Sequence, residues 1–269
     1  MPWYCDFHLH SDRSDGEFAP ATVVDMAADA GVRALALTDH DTLDGCTQAE
    51  SRARERGIAF VRGIEMTAYA AGHVIHILGL GVRERDPGLA IANEIANDAF
   101  GENQLRWIEA LEAEGFEVSS GRDFPELPVR LPVLIRRLCE HGVDGGDPQR
   151  CHARFQQFFA ALPADAYARL PSPAEAGAAI RGAGGVAILA HPARLDDDEL
   201  AQRFLFDLDG IEALYAPYAP KERARLRAMA AAHGKMYSCG SDYHGFFNGA
   251  YINPKFEAPP ALLAALSLA

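Results

Sequence analysis

The chain of 269 residues carries 25 basic and 38 acidic side chains, a formal net charge of −13, which excludes a broad nucleic-acid-binding face. Its length suits one large domain, or a domain with an insertion. The five cysteines are scattered without a C-x-x-C pair, and we find neither a signal-peptide pattern nor an apolar run of membrane-spanning length. We therefore expect a cytoplasmic protein without a membrane or a long nucleic acid as partner.

The first predicted strand, residues 4–10, alternates between apolar and polar side chains. Asp6, His8 and His10 share one face, because successive side chains of a strand point to opposite faces. Two histidines on one face can bind the same metal ion, and neutral imidazole is the commonest metal ligand. A half-buried strand whose polar face meets solvent is the alternative interpretation, which the rest of the chain disfavours.

Strands and helices then alternate at a spacing that predicts a mostly parallel α/β sheet or barrel. After a turn-rich loop at 11–16, the predicted elements are a helix at 20–30, a strand at 33–38, a helix at 44–56 and strands at 58–64 and 74–80. The alternation resumes with a helix at 173–181, a strand at 185–190, a helix at 197–208, a strand at 211–215, a helix at 220–233 and a strand at 236–240. Together with the first strand this makes seven strands, which we assign to a barrel formed by residues 1–84 and 165–269.

The segment between these two parts, residues 85–164, contains almost no strand pattern. Helical periodicity extends over residues 89–114 and stops at Gly115, and shorter helices are predicted at 132–141 and 147–161. We therefore predict that residues 85–164 form a helical insertion, or cap.

Ionisable side chains accumulate near the ends of the predicted strands, where parallel α/β folds place their sites. The nine candidate metal ligands are His8, His10, Asp15, His40, Glu65, His76, His191, Asp242 and His244. A buried cluster of carboxylates repels itself without cations, and mixed imidazole and carboxylate ligands suit Mn²⁺, Zn²⁺ or Fe²⁺ better than Mg²⁺ or Ca²⁺. A carboxylate such as Glu65 can bridge two ions, and a hydroxide held between ions is a nucleophile at neutral pH.

These polar segments form an ordered set of motifs. They are Asp6-Phe7-His8-Leu9-His10 with Ser14-Asp15-Gly16, Thr38-Asp39-His40-Asp41-Thr42, Gly63-Ile64-Glu65, His76-Ile77-Leu78-Gly79, Ala190-His191-Pro192 and Gly240-Ser241-Asp242-Tyr243-His244. The set resembles the PHP (polymerase and histidinol phosphatase) family of the wider amidohydrolase superfamily, over about residues 4–80 and 172–250. The resemblance implies a distorted seven-stranded β/α barrel with two or three divalent metal ions, for which Mn²⁺ is the expected metal.

The same resemblance assigns the ligands to ions. His8, His10, Glu65 and Asp242 would hold a first ion, Glu65, His76 and His191 a second, and Asp15, His40 and His244 a third. Asp6, Asp39 and Asp41 would orient ligands rather than bind metal. His73 lies on the opposite side of its strand from His76 and is expected not to bind metal. Because all nine ligand positions are filled, a catalytically inactive scaffold of this family is disfavoured.

The helical insertion and the short chain resemble one branch of the family, whose members remove the 3′-phosphate from 3′,5′-nucleoside bisphosphates. Some members also degrade short RNA from its 5′ end. Arg194, beside the Ala190-His191-Pro192 motif, and Arg130, in the insertion, offer planar guanidinium groups that suit phosphate oxygens. Pro132 replaces the histidine of a Thr-Arg-x-His stretch found in relatives, and residues 102–104 replace an arginine-rich helix start. Both departures favour a small mononucleotide substrate over a long RNA.

The predicted reaction is hydrolysis of a phosphate monoester, with His191 and Arg194 as catalytic residues. Arg130, Arg194 and Tyr218 are the predicted substrate-binding residues. Candidates for stacking on a base are Trp107, Tyr215, Tyr218, Phe246 and Phe247. Burial in the core is nevertheless the expected role of most of these aromatic residues. The alternative activities are a histidinol-phosphate phosphatase, whose pocket would need an acidic contact for an amine, and a 5′–3′ exonuclease on short oligonucleotides.

Overall fold

Seven strands form one sheet in the computed structural model, which describes residues 3–195, 197–245, 251–252 and 255–268. The strands are β1 (Cys5–Asp6), β2 (Ala34–Leu37), β3 (Ala59–Ala70), β4 (His73–Leu80), β5 (Val186–Leu189), β6 (Gly210–Tyr215) and β7 (Met236–Gly240), and they follow one another in this order across the sheet. The two edges approach each other, because the Phe7 amide donates to the Cys239 carbonyl at 3.0 Å and Leu9 pairs in parallel with Tyr243. The sheet is thus a nearly closed barrel, and the predicted fold class is confirmed.

Strand β4 departs from the mostly parallel arrangement, since it runs antiparallel to both β3 and β5. The third strand is also longer than predicted: the sequence pattern indicated a strand at 58–64, whereas β3 continues through Glu65 to Ala70. Ala71 and Gly72 join the two strands and both have positive φ, 53° and 85°. A two-residue loop of this kind matches the right-handed twist of the flanking strands. β3 and β4 therefore form a long hairpin.

The helices described are α1 (Pro20–Asp29), α2 (Cys46–Arg56), α3 (Pro87–Ala113), α4 (Ser120–Asp123), α5 (Leu131–Glu140), α6 (Pro148–Ala160), α7 (Pro173–Gly182), α8 (Asp198–Phe206), α9 (Pro220–Ala232) and α10 (Pro260–Ala265). Several begin at positions that the sequence marks clearly. Asp86 and Asp147 accept hydrogen bonds from the first backbone amides of α3 and α6, and Ser172 with Glu175 forms a capping box on α7. None of the helices described here is long and apolar enough to cross a membrane.

Helices α3 to α6 share a hydrophobic core of their own, which includes Trp107, Leu138 and Phe155. This helical layer contacts the barrel at the rim where β2 ends. The Asn97 amide group of α3, for instance, donates to the Asp41 carbonyl at 3.0 Å. A cleft of about 1010 Å³ lies between the helical layer and the barrel rim. The boundaries 85–164 of the insertion as a separate unit stay a prediction.

Candidate metal centre

The barrel rim at the floor of the cleft brings all nine candidate ligands together. Most follow the carboxyl ends of parallel strands, as in other α/β folds. His76 reaches the same rim from the first half of β4, because β4 runs in the opposite direction and pairs His76 with Thr67 of β3. Glu65 lies within β3, at the height where His40 follows the end of β2. The antiparallel strand β4 thus carries its ligand in its first half, whereas the parallel strands carry theirs at their carboxyl ends.

Four buried side chains form the first ligand group. The Nε2 atoms of His8 and His10 each lie 3.1 Å from Oε2 of Glu65. They lie 3.1 and 3.3 Å, respectively, from Oδ1 of Asp242. Each of the four residues is at most 3 % exposed. Two imidazole nitrogens and two carboxylate oxygens therefore converge on one point, as the ligands of a single ion do.

The other carboxylate oxygen of Glu65 faces a second group. Oε1 lies 3.2 Å from Nδ1 of His76 and 3.0 Å from Nε2 of His191, and these two nitrogens are 3.3 Å apart. His40 also approaches Glu65, with its Nε2 3.4 Å from Oε2. The two oxygens of Glu65 are thus divided between two sets of histidines, which is the arrangement of a carboxylate that bridges two ions.

A third group lies toward the open side of the rim. Oδ2 of Asp15 is 3.0 Å from Nε2 of His244 and 3.6 Å from Nε2 of His40. The second imidazole nitrogen of His10, Nδ1, lies 3.4 Å from Oδ1 of Asp15. The four residues form a compact set of ligand atoms. His40 and His10 connect this group to the other two.

The charges of the centre demand cations. Burial alone would raise the pKa of Glu65, but the imidazoles of His8, His40 and His76 outweigh it and hold that pKa well below its usual range. Burial alone would lower the pKa of His8, yet Glu212 and the other carboxylates raise it well above the ordinary value. The carboxylates therefore stay ionised and need positive charge beside them. Either protons on imidazole or metal ions can supply it.

Two further histidines of the centre are already neutral. Burial lowers the pKa of His40 to about 4, and burial together with the Arg194 cation lowers the pKa of His191 to about 3. Neutral imidazole is the form that binds metal. The buried Nε2 atoms of His8 and His10 and Oε2 of Glu65 make no hydrogen bonds despite their short separations. Lone pairs that converge without hydrogen bonds fit divalent ions.

A further buried carboxylate, Glu212 of β6, supports the centre from behind. Its Oε1 lies 2.9 Å from Nδ1 of His8, and its Oε2 accepts a hydrogen bond from the His191 amide at 2.9 Å. Such a contact fixes the tautomer and orientation of a metal-binding histidine. The contact between Glu212 and His8 requires a glycine at position 240. A Cβ there would lie 2.2 Å from Cβ of His8 and 2.7 Å from Oε1 of Glu212. Glu212 was not among the candidate residues, although a glutamate in an otherwise apolar, buried strand was an available signal.

Two carboxylates of the motifs hold backbone in place. Oδ1 of Asp6 accepts hydrogen bonds from the amides of Ser241, at 2.9 Å, and His8, at 3.3 Å. Asp41 accepts from the amide and the hydroxyl of Thr67, at 2.8 and 2.6 Å. Both contacts join neighbouring strands beside the ligands. Neither aspartate lies in one of the three ligand groups.

Asp39 holds the loop that carries Asp15. Its carboxylate accepts hydrogen bonds from the amide and hydroxyl of Ser11 and from the hydroxyl of Ser14, each at 2.7 Å. His73 is exposed and lies outside all three ligand groups. The roles of Asp39 as an orienting residue and of His73 as a residue that does not bind metal stay predictions.

Three residues of the rim have left-handed backbone, with φ of 49° at Asp41, 27° at His191 and 55° at Asp242. Non-glycine residues adopt this conformation at a cost of roughly 1–3 kcal/mol each. Two of the three are candidate ligands. The surrounding hydrogen bonds hold them in conformations that aim their side chains into the centre.

Arg194 lies at the edge of the centre. Its NH2 group donates to Oδ2 of Asp242 at 2.9 Å and to the hydroxyl of Tyr215, which itself donates to Asp242 at 2.7 Å. The side chain is 55 % exposed and lines the cleft. Arg194 therefore presents positive charge to a ligand above the metal centre.

Arg130, on the insertion, lines the same cleft as Arg194. Its NH1 group donates to the Asp12 carbonyl at 2.7 Å, and its exposed side chain lines the cleft. Arg13, which the sequence analysis missed, lines the same cleft, with Nε 3.4 Å from Oδ1 of Asp12. Its place between the ligands His10 and Asp15 was an available signal.

The three aromatic stacking candidates that the structure describes do not line the cleft, in keeping with the core role expected of most of them. Trp107 is 1 % exposed in the core of the insertion and cannot offer a face to a ligand. Tyr215 is 2 % exposed, and its hydroxyl is engaged by Asp242 and Arg194. The hydroxyl of Tyr218 accepts a hydrogen bond from the Ala193 amide at 2.7 Å, and Tyr218 does not line the cleft. Phe246 and Phe247 lie outside the described residues.

Comparison with known proteins places this site in a family. A model of the PHP domain matches residues 6–116. The 3′,5′-nucleoside bisphosphate phosphatase of Chromobacterium violaceum is 32 % identical over 248 residues, which cover 89 % of this chain and 86 % of that protein. The 5′-3′ exoribonuclease of Haemophilus influenzae is 29 % identical over 247 residues, 89 % of each chain.

A solved structure agrees over the whole chain. A protein of Bifidobacterium adolescentis, assigned as a metal-dependent phosphoesterase, superposes with a TM-score of 0.81 at 25 % identity and covers 100 % of this chain and 98 % of its own. The agreement includes the barrel and the helical layer above it. The match to the PHP domain, together with a relative that is 32 % identical over 89 % of this chain, shows that the chain belongs to the PHP family.

Proposed function

We propose that this protein is a metal-dependent phosphomonoesterase that hydrolyses a 3′,5′-nucleoside bisphosphate to the nucleoside 5′-monophosphate and phosphate. The observation that carries the proposal is the division of the Glu65 oxygens between two sets of histidines, at the floor of a cleft that Arg130 and Arg194 also line. The similarity to a bisphosphate phosphatase over 89 % of the chain supports the substrate class.

The three ligand groups would hold two to three divalent ions, and Mn²⁺ is the metal that we propose. Zn²⁺ and Fe²⁺ also suit mixed imidazole and carboxylate ligands. When bound, such ions polarise a phosphoryl oxygen and lower the pKa of a water molecule so that it can attack phosphorus. His191 would act as one of their ligands, held by Glu212 through its backbone amide.

Arg194 would bind the phosphoryl group that is transferred. Its guanidinium lies beside Asp242 and remains open to the cleft. The oxygens of the phosphoryl group gain charge that must be stabilised in the transition state, and a planar guanidinium suits two of them at once. Asp242 and the Tyr215 ring hold Arg194 in place, so that little side-chain freedom is lost when substrate binds.

Arg130 would bind the second phosphate. The segment before it is clamped by the side-chain amide of Gln104, which donates to the Val129 carbonyl at 2.6 Å and accepts from the Val129 amide at 3.0 Å. Gln104 thus has a structural role at the position where some relatives are expected to carry basic residues. Glu102 pairs with Arg169 at 2.6 Å. This part of the insertion offers no basic track for a long RNA.

The proposal is tested by phosphate release from adenosine 3′,5′-bisphosphate, histidinol phosphate and a short 5′-phosphorylated RNA, each with the Mn²⁺-loaded protein. Preference for the bisphosphate, with AMP as the second product, is the expected result. A preference for histidinol phosphate would refute the nucleotide substrate and leave the phosphatase chemistry standing. Activity on RNA alone would refute the phosphomonoesterase reaction in favour of 5′–3′ exonuclease action. Tyr218 does not line the cleft and packs against Tyr215. We therefore propose that it supports Arg194 through Tyr215 and does not contact substrate.

We expect Arg194→Ala to lower kcat/KM for phosphate monoesters by about 10- to 100-fold, because a charge-assisted hydrogen bond contributes roughly 1.5–3 kcal/mol. Arg194→Lys should recover only part of the loss, since a point charge cannot match two oxygens at once. Steady-state kinetics measure the effect, and bound metal should be unchanged. Arg203→Ala, at an exposed arginine of α8, is the control. Unchanged kinetics in Arg194→Ala would remove this residue from the site.

A further inference from the structure

The wall of the cleft opposite the metal centre is aromatic. Phe100 of α3, Phe155 and Phe159 of α6, and Tyr167 line the same cleft as the metal ligands. Phe155 is 8 % exposed, and the other three are half-buried. The three phenylalanines contact the hydrophobic core of the insertion on one side and border the cleft on the other.

Helix α6 presents a defined face to this cleft. His152, Phe155, Gln156 and Phe159 all line it, and their spacing of three, four and seven residues puts them on one side of a helix. Phe158, the neighbour of Phe159, packs against the core of the insertion and does not line the cleft. The face thus combines aromatic rings with two side chains that can form hydrogen bonds.

The rings of this wall support one another. Phe155 and Phe159 have centroids 4.1 Å apart, and Phe100 lies 5.8 Å from Phe159. The Tyr167 hydroxyl donates to the Phe159 carbonyl, and its ring stacks on Tyr69 at 5.2 Å and 24°. A wall fixed in this way loses little freedom when a ligand packs on it.

The size of the cleft leaves room beyond the phosphate. Its volume of about 1010 Å³ is at the upper end of the roughly 300–1,000 Å³ that is usual for ligand pockets. The three ligand groups and the arginines line the polar side of the cleft. A ligand that fills the cleft therefore needs a charged part at the rim and a planar, mostly apolar part at the helical wall.

We infer that Phe159 and Tyr167 form a stacking subsite for the planar base of the substrate, and that His152 and Gln156 border the polar edge of that base. The inference rests on the proposed function in that it takes the substrate to be a nucleotide. On this inference, α6 of the insertion and Tyr167, which follows the insertion, select the base, separately from the barrel rim that carries the candidate metal ligands.

The test compares two substrates in two matched variants. Phe159→Leu removes the ring and keeps an apolar side chain, and Phe158→Leu makes the same change on the core side of α6. We expect Phe159→Leu to lower kcat/KM for adenosine 3′,5′-bisphosphate by about tenfold, mainly through KM, since stacking on an aromatic ring strengthens base binding by about this factor. The abasic tetrahydrofuran 3′,5′-bisphosphate should be hydrolysed equally by wild type and variant.

Phe158→Leu should leave the ratio of kcat/KM for the two substrates unchanged. An equal loss on both substrates in Phe159→Leu, or no loss on the nucleotide, would overturn the stacking subsite. Tyr167→Leu is the second variant and should show the same selective loss if Phe159→Leu does not fold.

The proposed function can fail while the aromatic subsite stands, and a second pair of substrates distinguishes the two cases. If the wild-type protein hydrolyses no nucleotide, the comparison is repeated with 1-naphthyl phosphate and glycerol 3-phosphate. A loss confined to the naphthyl ester in Phe159→Leu would keep the aromatic subsite and reject the nucleotide. Equal rates of the variant and wild type on both esters would overturn the subsite as well.

Discussion

Glu65→Gln should lower kcat for phosphate monoesters by more than about 100-fold, because changes to groups that merely orient metal ligands already cost about 10- to 100-fold. The two oxygens of Glu65 face two different sets of histidines, at 3.0–3.2 Å. An amide oxygen carries no charge and an amide nitrogen does not bind metal, so a glutamine can serve one group at most. Bound metal per chain, measured by elemental analysis, should fall along with kcat.

The same substitution keeps the size of a fully buried side chain, so the fold should persist. Mn²⁺ should raise Tm in the wild-type protein, because it binds the folded state selectively, and should do so less in Glu65→Gln. Glu84→Gln, at an exposed glutamate paired with Arg62, is the matched control. Wild-type metal content in Glu65→Gln would contradict the bridging role.

Most of the metal centre could be predicted from local sequence. Alternation in the first strand put His8 and His10 on one face, and their ring nitrogens do converge on Glu65. The parallel strands end where a histidine or an acidic residue follows, as at His40 and Asp242. These features are local, since side-chain direction in a strand has a period of two residues.

Features that depend on distant parts of the chain were not predictable in the same way. The burial of Glu212 depends on the close approach of Gly240 in the neighbouring strand. The antiparallel course of β4 was signalled by the short Ala71-Gly72 turn, but the sequence rhythm of strands and helices favoured a parallel arrangement. Because β4 runs antiparallel, His76 reaches the rim from the beginning of its strand.

The aromatic residues show a second limit. A helix such as α6 has apolar side chains on two of its faces, and the sequence does not state which face meets a core and which meets a cleft. Trp107 was a candidate for stacking and is buried in the core. Phe159 was not a candidate and lines the cleft. Only the packing of the helical layer on the barrel distinguishes the two.

The metal centre alone does not determine the substrate. A bisphosphate phosphatase and an exoribonuclease are relatives of similar overall identity, so overall similarity to this chain accompanies different named activities. Arg13, Arg130 and residues of α6 line the cleft above the centre, and we propose that they discriminate between substrates. Substitutions there should change specificity, whereas substitutions in the centre should change all activities together.

Asp15→Ala should remove one ion and lower kcat by about 100-fold or more, while the other two ligand groups stay intact. Oδ2 of Asp15 lies 3.0 Å from His244 and 3.6 Å from His40. In the four-residue group around His8, His10 contacts Asp15 through Nδ1 at 3.4 Å, and its other nitrogen, Nε2, faces Glu65 at 3.1 Å. Asp15 is half-buried in a loop that Asp39 holds through Ser11 and Ser14. The loop, and with it the fold, should therefore survive the substitution.

Elemental analysis, kcat and Tm of Asp15→Ala are to be compared with those of Asp44→Ala. Asp44 is an exposed carboxylate that lines the same cleft and belongs to none of the three ligand groups. Its loss changes the charge of the cleft by the same amount, so it separates a metal ligand from a general electrostatic effect. Loss of one ion with low activity in Asp15→Ala, and normal values in Asp44→Ala, are the expected outcome. Wild-type activity in Asp15→Ala would refute the third ion, and loss of all bound metal would show that the three groups do not bind independently.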